Sequence, residues 1–98
     1  MIRNGIEGDR CYVLKPDIVI SEDPSGEVTV LDTRKGRYWR GNAGARDVLE
    51  LLRTPITVTC IIAEFERQFE VERTRLHHDI GCVLKELCAA GLAHEVHR

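Results

Sequence analysis

The sequence predicts an α+β domain, a three-stranded antiparallel meander over residues 17–41 followed by three α-helices. Three observations predict it. Apolar and polar residues alternate in two short runs, "DIVIS" and "EVTVLD", each followed by a turn cluster. From Ala45 onward the apolar spacing becomes i, i+3, i+4, i+7, the period of one helix face. Strands and helices also come in separate runs, which indicates helices packed on one face of a small sheet.

Residues 1–10, "MIRNGIEGDR", are polar and contain glycine, so a loose terminus is expected ahead of one domain over 11–98. The pattern turns extended from Tyr12. In "YVLKPDIVISE", Ile18 and Ile20 share one face while Asp17, Val19 and Ser21 share the other. Pro16 confines that strand to an edge or to a start just after the proline. "EDPSG" is a turn cluster. The second strand sets Val28 and Val30 against Thr29 and Leu31. "TRKG" closes a hairpin, with Gly36 available for a left-handed position, and "RYWR" is the third strand.

Asn42 is a good N-cap, and Ala45, Val48, Leu49 and Leu52 line the first helix. Thr54-Pro55 ends it, because proline pushes the residue before it out of the helical region. Thr57 caps a second helix of about three turns, whose stripe is Val58, Ile61, Ile62, Phe65 and Phe69. The third helix spans roughly 72–90, with Leu76, Ile80, Val83, Leu84 and Leu87 on one side. Gly91 and Leu92 have the order of a Schellman ending, in which Leu92 touches Leu87. The tail "AHEVHR" is short and polar, suited to a final extended stretch.

Composition narrows the function. The 98 residues carry 14 basic and 16 acidic side chains, a net charge of −2. This near-neutral balance weakens the case for nucleic-acid binding, which needs a basic face. No segment has the apolar length of a membrane span, and the N-terminus lacks the apolar stretch of a secretory signal, so cytoplasm is the expected compartment. Cysteines 11, 60, 82 and 88 form no Cys-x-x-Cys pair, and reduced, partly buried thiols are expected.

Catalytic signatures are missing: there is no G-x-S-x-G, P-loop, H-E-x-x-H or glycine fingerprint. His78 and Cys82 lie four apart on the third helix, but two ligands do not make a structural zinc site. No cofactor, metal or catalytic residue is expected. The three helices would also suit a winged-helix DNA-binding regulator, the alternative function. Its recognition helix, though, would expose Glu72, Arg73, Arg75, His78, Asp79, Lys85 and Glu86, a mixture that is not basic. The open edge of the meander is a template for an extended peptide. Tyr38 and Trp39 are neighbours on that edge strand, so they face opposite ways. Parity alone leaves open which of them enters the core.

"DTRKGRYWRGNAGARDVLELL" followed by "TVTCIIAEFERQFEVERTRLHHDIGCVLKELCAAGLA" resembles the PqqD-like family of leader-peptide recognition domains, over roughly residues 17–93. "GRYWRGN" is most similar to the stand-alone recognition proteins of lasso-peptide pathways, with Gly41 standing where leucine is usual. The resemblance implies a winged-helix-turn-helix-like fold whose sheet accepts the leader of a ribosomally made precursor as a fourth strand. Backbone pairing would run along roughly Thr33 to Arg40, thus Thr33, Arg34, Arg37, Tyr38, Trp39 and Arg40. Side-chain contacts would come from Leu31, from Tyr38 or Trp39, and from Arg75, Asp79, Cys82 and Val83 on the third helix. The implied role is a non-catalytic adaptor. Its partners would be the precursor leader, a transglutaminase-like cysteine leader peptidase and the lasso cyclase that follows, with no nucleic acid and no membrane.

Overall fold

The first strand of the expected meander begins just after Pro16, and the extended run before the proline forms a strand of its own. In the computed structural model, which describes residues 9–97, Pro16 offers no N–H to a ladder. Asp17 follows with φ 66°, a left-handed conformation that aspartate tolerates better than most residues. The chain turns there. Strands β1 (Cys11–Leu14) and β2 (Ile18–Glu22) therefore belong to different sheets.

The expected meander forms from β2, β3 (Val28–Asp32) and β4 (Arg37–Gly41), antiparallel and in that order. Its register places Val30 opposite Trp39 and Leu31 opposite both Val19 and Tyr38. Val28 and Val30 are fully buried, so their face of the sheet meets the helices. The opposite face carries Val19, Leu31 and Tyr38 and is open to solvent.

Asp32 fastens the β3–β4 turn. It is 6% exposed, and its Oδ1 accepts from the backbone N–H groups of Arg34 at 2.9 Å and Lys35 at 3.2 Å. Gly36, at φ 68°, completes the turn in a conformation that suits glycine. Asp32→Ala leaves two N–H groups without their acceptor. It is expected to lower unfolding stability by about 1–3 kcal/mol in urea titrations, with Asp32→Asn losing less because the amide oxygen still accepts. An alanine variant of unchanged stability would show that the turn holds without this side chain.

Helix α1 (Ala43–Leu51) starts as expected, with the Asn42 side chain accepting from the Ala45 N–H. Helix α2 (Val58–Gln68) is capped in the same way by Thr57, which accepts from Cys60 N–H. Helix α3 (Arg73–Ala89) ends in the Schellman arrangement: Leu92 N–H donates to Leu87 O at 2.9 Å and Gly91 N–H to Cys88 O at 3.0 Å. The stripes bury Val48 and Leu49 from α1, Val58, Ile61 and Ile62 from α2, and Leu76, Ile80, Leu84 and Leu87 from α3. Phe69 departs from its expected stripe. It is the α2 C-cap residue, extended at φ −134°, and stays exposed.

A second sheet was not legible in the sequence. Strand β1 lies between β5 (Ile56–Thr57) and β6 (Ala93–Val96), antiparallel to both. Leu14 N–H also donates to Leu52 O, and Lys15 N–H to Leu92 O, so the start of the domain is sewn to the ends of α1 and α3. The element order is thus not simply three strands followed by three helices. Two small sheets frame the helices, and the fold remains α+β and winged-helix-like. The expected loose terminus lies mostly outside the described residues. At its end, Arg10 pairs with Glu95 at 2.7 Å.

Candidate functional site

A cleft of about 900 Å³ lies between the first turns of α1, the α2–α3 turn and one face of α3. That volume falls within the range of ligand clefts. Its floor is apolar, with Val48, Phe65, Leu76, Ile80 and Val83. Phe69 and Val71 form one end, and Asp47, Glu70, Arg75 and Asp79 supply the charged rim. Phe65 and Phe69 pack as a tilted pair with centroids 5.6 Å apart. Four of the residues singled out in the sequence, Arg75, Asp79, Cys82 and Val83, come together here. Helical spacing explains it, since positions 75, 79, 82 and 83 fall on one face.

Strand β4 leads straight into this cleft, because Gly41 is followed by Asn42, Ala43 and Gly44, all of which line it. Among the described residues β4 is bonded on one side only, to β3. Its other edge presents alternate N–H and C=O groups outward. The extended edge is Arg37–Gly41, whereas residues 33–36 are a turn. Thr33 and Arg34 consequently offer no strand edge, and any added strand would pair over a shorter stretch than Thr33–Arg40. A turn places its backbone groups in divergent directions, and the Asp32 carboxylate already holds the Arg34 N–H.

The meander divides the remaining candidates between its two faces. Arg37 and Trp39 point toward α3: the Arg37 guanidinium lies against Gly91, and Trp39 Nε1–H donates to Glu86 Oε1 at 2.9 Å. Leu31, Tyr38 and Arg40 point away from α3. Tyr38 is 64% exposed, and Arg40 pairs with Glu27 at 2.9 Å on that outer face. The register therefore decides between the two rings. Trp39 packs against the core from partial burial, while Tyr38 stands on the outside of the sheet. A four-residue turn fixes this parity once Val30 is placed inside, and the sequence already held that signal.

Glu86, Phe69, Val71 and Asn42 were missed as site residues. Phe69 and Val71 offered a cue, being large apolar side chains in the short link between the second and third helices. Glu86 offered none, because its contact with Trp39 joins residues 47 positions apart.

Burial, helped by the Glu95 charge, pushes the Cys88 thiol up, the reverse of what activates a thiolate. His78 Nε2 and Cys82 Sγ are 3.6 Å apart, and no third His, Cys, Asp or Glu among the described residues completes a metal cluster with them. Arg75 lies 3.9 Å from Asp79, and Arg73 lies 3.1 Å from Glu66. The arginines of α3 that a DNA duplex would need therefore face carboxylates of their own. No helix among the described residues is long and apolar enough to cross a membrane.

Comparison with known proteins gives a family and two similar folds. The family model for coenzyme PQQ synthesis protein D (PqqD) matches residues 27–93. One similar solved structure is a lasso peptide synthetase B1 complexed with the leader peptide. It is 30% identical, with TM-score 0.65, covering 85% of this chain and 96% of that one. A second, TbiB1 in complex with the TbiA(beta) leader peptide, shares the fold at TM-score 0.71 and 19% identity, covering 88% of this chain and 99% of that one. No curated protein matches the chain.

Proposed function

The chain belongs to the PqqD family, and from that premise we propose that it is the leader-recognition protein of a lasso-peptide pathway. It holds the leader of a ribosomally made precursor as a strand added to the β4 edge and carries out no chemistry itself. The observation that carries this reading is the free edge of β4 running directly into the cleft on α3. Main-chain hydrogen bonds along Arg37–Gly41 would supply affinity, and the cleft would take side chains that alternate along the leader. The similar synthetase B1 bound to a leader peptide supports the same ligand class here.

An added strand presents its side chains to both faces of the sheet. Those directed inward would meet Trp39, Val83, Cys82 and Asp79. Those directed outward would lie beside Tyr38 and Leu31. The adaptor then raises the local concentration of the precursor at a separate cysteine leader peptidase, an effect of tethering alone, and a cyclase acts on the released core.

A synthetic leader from the neighbouring precursor gene, titrated against Trp39 fluorescence and by calorimetry, tests the proposal. Saturable one-to-one binding that a scrambled leader does not reproduce is the expected result. Absence of binding by both methods would reject it. Asp79→Ala and Tyr38→Ala are each expected to weaken the leader roughly tenfold, about 1.4 kcal/mol, because each removes a contact on one face of the added strand. Both positions are exposed, so the fold should keep its wild-type stability. Unchanged affinity in both variants would move the binding site elsewhere.

A further inference from the structure

We propose that Gly41 and Glu86 are positioning residues that together fix the Trp39 indole as the inner wall of the leader groove. The inference rests on the leader-binding reading above and adds what shapes its site. Trp39 reaches from β4 toward α3, where Nε1–H donates to the Glu86 carboxylate at 2.9 Å. That bond holds the pyrrole side of the ring. The benzo side is held by an absence of atoms. A Cβ on Gly41 would sit 2.6 Å from Trp39 Cζ3, closer still to Cη2, and 3.1 Å from the Ala45 methyl. The ring thus lies across the Gly41 backbone, in space that any other residue would fill.

With the covalent link at Cβ, these two contacts fix the plane of the indole, and a single hydrogen bond would not. Residues 39 and 41 share the inward face of β4, so the ring packs over the glycine on that face of the strand. Inward side chains of an added strand would lie beside the ring and then meet Val83 and Cys82 on α3. The geometry also separates positioning from stability. Gly41 has no positive φ, so an alanine meets no backbone strain there. The severe clash is with the far end of a side chain, which can swing away. Gly41→Ala should therefore keep the fold and displace the ring.

The experiment compares wild type, Gly41→Ala, Trp39→Ala, the double variant, Glu86→Ala and Glu86→Gln. Without leader, Gly41→Ala and Glu86→Ala should each red-shift the Trp39 emission and raise its quenching by acrylamide, with circular dichroism unchanged. Glu86→Gln, which keeps an acceptor oxygen, should resemble wild type. By calorimetry with the synthetic leader, Gly41→Ala should weaken binding at least about fivefold (~1 kcal/mol), yet change it less than twofold when Trp39 is already alanine. An equal loss in both backgrounds, or emission and affinity that stay at wild type, would overturn the proposal. If Gly41→Ala does not fold, Glu86→Ala and its glutamine rescue decide the same question. A wild-type chain that binds no leader would overturn the proposed function, while the leader-free emission shifts would still report how the ring is held.

Discussion

Proline at one of two neighbouring β4 positions is expected to abolish leader binding without unfolding the protein. Adjacent residues of a strand direct their N–H groups to opposite sides. For Tyr38 and Trp39, one N–H therefore faces β3 and the other faces the free edge. Proline at the edge-facing position removes a donor from the added strand and places a ring where the leader backbone must approach. The expected loss is on the order of a hundredfold, about 2.8 kcal/mol, with a modest change in the urea midpoint. Proline at the other position breaks the β3–β4 ladder and should cost about 3 kcal/mol of stability or more. Calorimetry and urea denaturation on Tyr38→Pro and Trp39→Pro read both effects. Two folded variants that still bind the leader would show that it does not pair with β4.

The largest effect on stability is expected at Leu84. This side chain is fully buried on α3 and belongs to the core that both sheets and all three helices share. Leu84→Ala removes its packing and leaves a cavity that the surrounding elements fill only in part, at a cost of about 2–5 kcal/mol. Domains of this size are stable by about 5–15 kcal/mol, so a large fraction of the native stability is lost. The variant should regain part of it when leader is added, because a ligand that binds only the folded state stabilises it by mass action. A thermal midpoint below wild type without leader would show the weakened core, and its rise with leader concentration an intact site. A wild-type midpoint for Leu84→Ala would mean that α3 packs less tightly than its burial implies.

The elements with local signals were legible in the sequence. Asn42 and Thr57 mark helix starts through hydrogen bonds to residues three positions on. Gly91 marks a helix end through its own left-handed conformation. Alternation in β2 and β3 announces strands because one face is buried and the other is wet. Each signal spans fewer than ten residues, and the energies behind it act within that span.

The candidate site was half legible. Arg75, Asp79, Cys82 and Val83 share a helix face by spacing alone, and the structure sets them in one cleft. Their counterparts on the meander do not all face it. Parity separates Leu31, Tyr38 and Arg40 from Arg37 and Trp39. The sequence states that parity but leaves to packing which face turns inward.

By itself, then, the sequence determined the meander, the three capped helices and the family resemblance, because those depend on the order and spacing of residues. Tertiary structure decided the second sheet, in which Cys11 pairs with Val96 across the length of the domain. It also decided the exposure of Phe69 and the bridge from Trp39 to Glu86. All of these rest on which distant surfaces meet, and burial and hydrogen bonding between distant residues leave no periodic trace along the chain.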